Sequence, residues 1–137
     1  LSDDTGLEVD ALNGATGVYT ARYAGENPTF EDNVNKMLLE LKDVSDFKRT
    51  ARFRTVLAFV NSDSELCEEG IIEGEITKSV FGKDGFGYDP IFKPKNYSIT
   101  FAEMSAEEKN RISHRARALV KMKKTIKKYF KNGDSIE

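Results

Sequence analysis

The sequence has very few of the residues that form disulfides and zinc sites. Cys67 is the only cysteine and His114 the only histidine among 137 residues. An intrachain disulfide is therefore excluded, and a reducing compartment such as the cytoplasm is the simplest location for the chain. A zinc site of cysteine and histidine ligands is not expected either, because such a site needs three or four of them. A hard cation bound by carboxylates is still compatible with the composition.

Long apolar runs, repeats and linkers are absent as well. No stretch approaches the roughly 20 apolar residues of a membrane-spanning helix, so we expect no membrane partner. No signal peptide is visible. The chain begins at Leu1 without methionine, and "LSDDTGL" is typical of the end of a strand, so we expect a further segment before it. Residues 1–137 are predicted to form a single domain.

Charge is distributed unevenly along the chain. Ten of the 21 basic residues but only two of the 23 acidic residues lie between Ser105 and Lys131. Such a basic segment is most often a solvated helix face, although it could also bind phosphate. An RNA-binding or partner-docking helix is the alternative, and it predicts salt-dependent binding that is lost when Lys123, Lys124, Lys127 and Lys128 are neutralised. Aromatic residues do not alternate with these lysines, so we expect no nucleic-acid partner.

The periodicity predicts helices that flank a sheet. The stretch "NPTFEDNVNKMLLELKDV" predicts a helix capped by Thr29, with a buried stripe of Phe30, Val34, Met37, Leu38 and Leu41. "ARFRTVLAFV" predicts a strand covered on both faces, and "CEEGIIEGEIT" predicts a neighbouring strand with bulges at Gly70 and Gly74. This pattern indicates an α/β layer architecture.

The final helix is predicted to be broken. Ser105 is a cap residue, Asn132-Gly133 is a stop signal, and the buried stripe is Ile112, Ala116, Leu119, Ile126 and Phe130. In one unbroken helix Lys109 and His114 would lie about 140° apart, given about 100° per residue. Ser113 can cap a fresh helix that starts at His114, and such a break would bring the two side chains together.

Four segments could carry chemistry. In "DGFGYDPIF" the glycines permit positive φ, so that Phe86 can present its ring to a flat ligand or instead pack in the core. In "SDDTG" the adjacent acids should face opposite ways, so that one can bind Mg²⁺ or accept a proton while the other caps a turn. "EKNRISHR" supplies an ammonium, a hydroxyl, an imidazole and a guanidinium group, which together can bind phosphate oxygens and a carbonyl oxygen of a base. "NGATGVYTARYAG" lacks known phosphate-loop spacings and favours a structured loop against a neighbouring subunit.

Taken in order, these segments resemble the inosine triphosphate pyrophosphatase family. The residues that carry the resemblance are "SDDTGLEVDALNGATGVYTARYAG", "ARFRTVLAFV", "EGIIEGEI", "GFGYDPIF" and "FAEMSAEEKNRISHRARAL", from Leu1 to about Leu119. The resemblance implies an elongated α/β fold with a long mixed, twisted sheet, a cleft between two lobes, and a homodimer. It also implies Mg²⁺-dependent hydrolysis of ITP, dITP and XTP to the monophosphate and pyrophosphate.

The resemblance also implies roles for individual residues. Asp4 matches the family's catalytic aspartate, which activates water and binds Mg²⁺. Phe86 matches the residue that stacks on the base. The remaining matches to substrate-binding positions are Thr5, Gly87, Tyr88, Asp89, Lys109, His114 and Arg115.

The chain departs from the family pattern at its start. Family members begin with a strand and a "TGNxxK"-type phosphate-binding loop, followed by a metal-binding glutamate, and neither occurs in this sequence. Residues 1–137 are therefore expected to correspond to the C-terminal two-thirds of the family's domain. One alternative is a nucleotide-binding fragment that binds ITP without releasing pyrophosphate. Another is the septum-inhibitor family, which shares the fold but lacks the GFGYDP and SHR signatures.

Overall fold

The sheet and three helices define the architecture. The structure is a computed structural model that describes residues 2–132, apart from the side chains of Val18 and Asn132. Its elements in chain order are β1 (Ser2–Val9), α1 (Phe30–Glu40), β2 (Thr50–Val60), β3 (Glu65–Ile76), β4 (Phe92–Pro94), α2 (Ala106–Ile112) and α3 (His114–Asn132), with short 3₁₀ helices between them. The strand order is β1-β2-β3-β4. The expected α/β class is confirmed.

The sheet is antiparallel rather than mixed over the described residues. β1 pairs with β2, β2 with β3, and β3 with β4, all in antiparallel register. A tight turn at 61–64 joins β2 to β3, where the Asn61 side chain accepts from the backbone amides of Asp63 and Ser64 at 2.8 Å each. Such a turn permits only antiparallel neighbours. The strand that contains the "SDDTG" segment also continues to Val9 instead of ending at that segment.

The strand β2 is covered on one face only. Ala51, Phe53, Thr55 and Leu57 are buried, whereas the alternate positions are half-buried or exposed. The expectation of two covered faces is wrong because the second face carries charge. Arg52 and Arg54 lie there and form ion pairs with Asp10, Glu8, Glu69 and Glu73.

Two hydrophobic clusters lie on the covered face of the sheet. The larger one joins β1, β2 and β3 to α1 and to the segment 88–104, and includes Leu7, Met37, Phe53, Phe92 and Phe101. The smaller one lies beneath α3 and contains Leu57, Ala118 and Met122. Burial of each such large side chain contributes about 1.5–3 kcal/mol.

The helix α1 begins as predicted, but its stripe differs at the first position. Thr29 Oγ1 accepts from the amide of Asp32 at 3.0 Å, and the Asp32 carboxylate accepts from the amide of Thr29 at 2.9 Å. Val34 and Met37 are buried, whereas Phe30 is 59% exposed. The first helical turn extends past the edge of the core, which the periodicity alone does not show.

Glycine allows α3 to pack directly against β3. A Cβ at Gly70 would lie 2.0 Å from the carbonyl oxygen of His114 and 2.4 Å from the amide of Ala118. Gly70 and Gly74 both keep regular register with β2, so the expected bulges are not formed. This close contact turns Ala118 and Met122 toward the sheet and leaves Leu119 44% exposed. The prediction that Leu119 is buried is therefore wrong.

The predicted end of the last helix lies at the limit of the described residues, which end at residue 132. The helix α3 extends to Asn132, and whether the predicted stop at Asn132-Gly133 is formed depends on Gly133, which lies outside the described residues. Within residues 2–132, no helix combines the length and hydropathy that a bilayer crossing requires.

Candidate functional site

A cavity of about 620 Å³ lies between β1, the start of α1, the 86–89 loop and the junction of α2 with α3. Eight of the nine predicted site residues line it: Thr5, Phe86, Gly87, Tyr88, Asp89, Lys109, His114 and Arg115. These side chains are separated by up to 110 positions in the chain, and the fold brings them into one pocket. The ninth predicted residue, Asp4, does not line it.

The 86–89 loop presents a phenyl ring to the cavity. Gly85 and Gly87 have φ of 83° and 60°, as the sequence predicted, and Phe86 between them is 53% exposed. The loop is fixed by Asp89, whose Oδ2 accepts from the amide of Phe86 at 3.0 Å. A Cβ at Gly85 would lie 2.3 Å from that oxygen. Glycine is therefore required at position 85 both for its φ and for the approach of the carboxylate.

Asp89 also positions Lys109. The Asp89 side chain is buried, and its Oδ2 accepts from Lys109 Nζ at 2.5 Å. This pairing holds the ammonium 4.7 Å from the centroid of the Phe86 ring, within the range of a cation–π interaction. The carboxylate thus organises the phenyl ring and the ammonium group of the pocket together.

Tyr88 connects the loop to the segment after β1. Its ring is buried, and its hydroxyl donates to the carbonyl oxygen of Thr20 at 2.7 Å. Burial raises the pKa of this hydroxyl to about 12, so it remains a donor at neutral pH. The Thr20 hydroxyl in turn accepts from the amide of Leu7 at 2.9 Å. The 3₁₀ helix Gly17–Arg22 is thereby held as a wall of the cavity.

The break between α2 and α3 lies where the sequence predicted it. Ser113 is extended, with φ −64° and ψ 158°, and its hydroxyl caps the new helix by accepting from the amide of Ala116 at 3.1 Å. Lys109 on α2 and His114 on α3 consequently line the same cavity. The predicted break is confirmed.

His114 is a buried, neutral imidazole. It stacks on Phe53 with ring centroids 4.7 Å apart and planes 19° from parallel. Burial, helped by the nearby charges of Arg115 and Lys109, lowers its pKa from 6.5 to about 4. Its Nδ1 is buried and makes no hydrogen bond to the described residues. A ligand in the cavity therefore meets an uncharged ring here.

Arg115 is held in place by the strand β1. Its Nε donates to Asp3 Oδ2 at 2.7 Å, and its Nη2 donates to Thr5 Oγ1 at 3.3 Å. Partial burial opposes ionisation of Asp3, but the hydrogen bonds from Arg115 and Thr5 outweigh it and keep the pKa of Asp3 below its usual value. The guanidinium therefore faces the cavity in a fixed orientation.

Asp4 lies on the opposite face of β1 from Asp3, as the alternation of a strand predicted. It is exposed and lines a smaller groove of about 170 Å³ with Gly6, Glu8, Gly17, Arg54 and Val56. Thr5 lines both the groove and the larger cavity. The main chain at residue 5 thus separates the two spaces, with Asp4 on one side and Arg115 on the other.

The sequence analysis did not identify two pocket residues on α1. Phe30 faces the cavity with its ring centroid 6.2 Å from that of Phe86. Asn33 is buried and cross-links the wall, because its side chain accepts from the amide of Ala24 at 2.8 Å and donates to the carbonyl of Ala21 at 3.2 Å. The only available signal for Phe30 was an aromatic residue at a predicted helix start, and the periodicity assigned that residue to the buried stripe instead.

Comparison with known proteins identifies relatives of this chain. A model of the Ham1 family matches residues 1–125. A dITP/XTP pyrophosphatase of Thermoanaerobacter sp. (strain X514) is 52% identical over 128 residues, which cover 93% of this chain and 65% of that protein. The chain thus spans slightly less than two thirds of this relative's length.

Solved structures give the same result. The Ham1 protein of Staphylococcus aureus superposes with a TM-score of 0.87 at 41% identity, covering 91% of this chain and 65% of that one. A HAM1 protein of Coxiella burnetii superposes with a TM-score of 0.86 at 42% identity, covering 93% and 66%. The match in sequence and in fold shows that this chain belongs to the Ham1 family.

Proposed function

We propose that the protein is a nucleoside triphosphate pyrophosphatase acting on non-canonical purine nucleotides, namely ITP, dITP and XTP. The observation that carries the proposal is the pocket in which the half-exposed Phe86 ring lies beside the Lys109 ammonium and shares one wall with Arg115. The name "dITP/XTP pyrophosphatase" of its relative supports two of these substrates, dITP and XTP.

The pocket has groups that suit a 6-oxopurine base. The base stacks on Phe86, and base–aromatic stacking contributes about 1–3 kcal/mol. Lys109 and Arg115 carry only donors, which suit the 6-carbonyl of inosine and xanthine. A 6-amino group would place a donor against these donors and leave them unpaired, which disfavours adenine nucleotides.

The reaction is hydrolysis between the α and β phosphates. Asp4 orients a water molecule and accepts its proton, the water oxygen bonds to the α-phosphorus, and the bond from this phosphorus to the β-bridging oxygen breaks. Pyrophosphate leaves with the bonding electrons. In this account, Thr5 binds the substrate between the base pocket and Asp4, because it lines both spaces.

Mg²⁺ is the proposed cofactor. Residues 2–132 contain no cluster of three or more histidine, cysteine or acidic side chains that could hold a metal. An exposed single carboxylate such as Asp4 nevertheless fits Mg²⁺, which proteins commonly bind through one or two carboxylates together with substrate phosphates and water. When bound, the ion would neutralise charge on the phosphates and the departing pyrophosphate.

Two further parts of the proposal concern the cellular form. We propose a homodimer and a cytoplasmic location, the latter supported by the single cysteine, Cys67. Analytical ultracentrifugation tests the first, and fractionation of the source cells tests the second.

Product analysis on a panel of nucleotides tests the proposed activity. With dITP and XTP we expect the monophosphate and pyrophosphate, with kcat/KM at least tenfold above that for dATP. Chelation by EDTA should abolish turnover, and added Mg²⁺ should restore it. Binding of ITP without pyrophosphate release would indicate a nucleotide-binding protein, and release of orthophosphate would contradict the proposed bond cleavage.

A further inference from the structure

The pocket contains a second aromatic side chain at its mouth. Phe30 and Phe86 come from α1 and the 86–89 loop, are 59% and 53% exposed, and have ring centroids 6.2 Å apart at 41°. Both rings line the cavity, and their planes are tilted against each other. The other aromatic rings that line the cavity are buried, namely Phe53, Tyr88 and His114.

The position of Phe30 is determined by its backbone rather than by core packing. The reciprocal hydrogen bonds of Thr29 and Asp32 fix the first turn of α1. The Asn33 side chain ties that turn to Ala21 and Ala24 of the segment that precedes α1. Phe30 is thus held at the pocket although its own ring is largely exposed to solvent.

Binding of a flat ligand against phenyl rings that the backbone already holds in place costs little conformational entropy. Two neighbouring rings tilted by 41° can both contact a bicyclic base, one by offset stacking and the other through an edge contact. Given the proposed function, we infer that Phe30 is a base-binding residue that completes the purine-binding wall together with Phe86.

Kinetics of Phe30→Ala on dITP test this inference. We expect KM to rise about 5- to 30-fold with kcat unchanged, which corresponds to loss of one partial stacking contact. Phe30→Tyr should restore wild-type KM, and Phe30→Leu should restore only part of it. Equilibrium dialysis with inosine monophosphate should show the same order of affinities.

Phe47 provides the matched control. Its side chain is 80% exposed and does not line the cavity, so Phe47→Ala should leave KM unchanged. An unchanged KM in Phe30→Ala, or a fall in kcat alone, would overturn the inference while leaving the proposed function intact. Failure of the wild-type protein to release pyrophosphate would instead contradict the proposed function itself.

Discussion

Arg115 at the start of α3 is bound to Asp3 on β1, with its Nε 2.7 Å from the carboxylate Oδ2. The two residues are 112 positions apart in the chain. The pairing connects the helix that contributes the guanidinium proposed to read the base to the strand that carries Asp4. Base recognition and the proposed catalytic carboxylate are thus fixed to the same short segment, residues 3–5.

Arg115→Ala should narrow the preference for ITP over ATP. The guanidinium is a donor that an adenine amino group cannot satisfy. Removal of the guanidinium should therefore raise the ratio of kcat/KM for ATP to kcat/KM for ITP about tenfold. The measurement is steady-state pyrophosphate release on both nucleotides. Arg117→Ala is the control, since Arg117 is exposed, donates to the carbonyl of Ile71 and does not line the cavity. Unaltered discrimination in Arg115→Ala would exclude Arg115 as the selector.

Phe86→Ala should weaken nucleotide binding by about 1–3 kcal/mol, because the stacking surface is removed while the backbone of the loop stays in place. Isothermal titration with inosine monophosphate measures the change directly. Phe81 is 47% exposed and does not line the cavity, so Phe81→Ala should bind as the wild type does. Equal affinity of the Phe86→Ala and wild-type proteins would mean that the base binds elsewhere.

Stability should decrease between pH 6.5 and pH 4 in a manner that depends on His114. Burial lowers the folded-state pKa of His114 to about 4, so the unfolded chain binds its proton first as the pH falls. The stabilisation is complete above the unfolded pKa and is lost toward pH 4, with a maximum on the order of 3 kcal/mol.

Urea unfolding at pH 7.0, 5.5 and 4.5 measures this dependence. His114→Phe keeps a ring against Phe53 but removes the titrating group, so its stability should fall less steeply over the same range. Parallel curves for the two proteins would show that His114 is not the cause.

The local features of the fold could be predicted from the sequence. Thr29 and Ser113 are cap residues whose hydroxyls bond to amides three positions ahead, so the start of α1 and the break before α3 follow from adjacent residues. The alternation of β1 likewise places Asp3 and Asp4 on opposite faces.

The features that could not be predicted from the sequence depend on contacts between distant parts of the chain. The burial of Ala118 in place of Leu119 follows from its contact with Gly70, which helical periodicity cannot reveal. The exposure of Phe30 depends on where the core ends, and the Arg115–Asp3 pair depends on the complete fold. Side-chain periodicity shows which residues share a face, but it does not show what that face contacts.

We propose that β1 holds the base-binding Arg115 on one face, through Asp3 and Thr5, and carries the catalytic carboxylate of Asp4 on the other. The most direct test is single-turnover pyrophosphate release from dITP by Asp4→Asn, measured together with its affinity for inosine monophosphate. For Asp4→Asn we expect a rate at least about 100-fold lower with affinity unchanged, as for the loss of a general base. Near-normal release by Asp4→Asn would contradict this proposal.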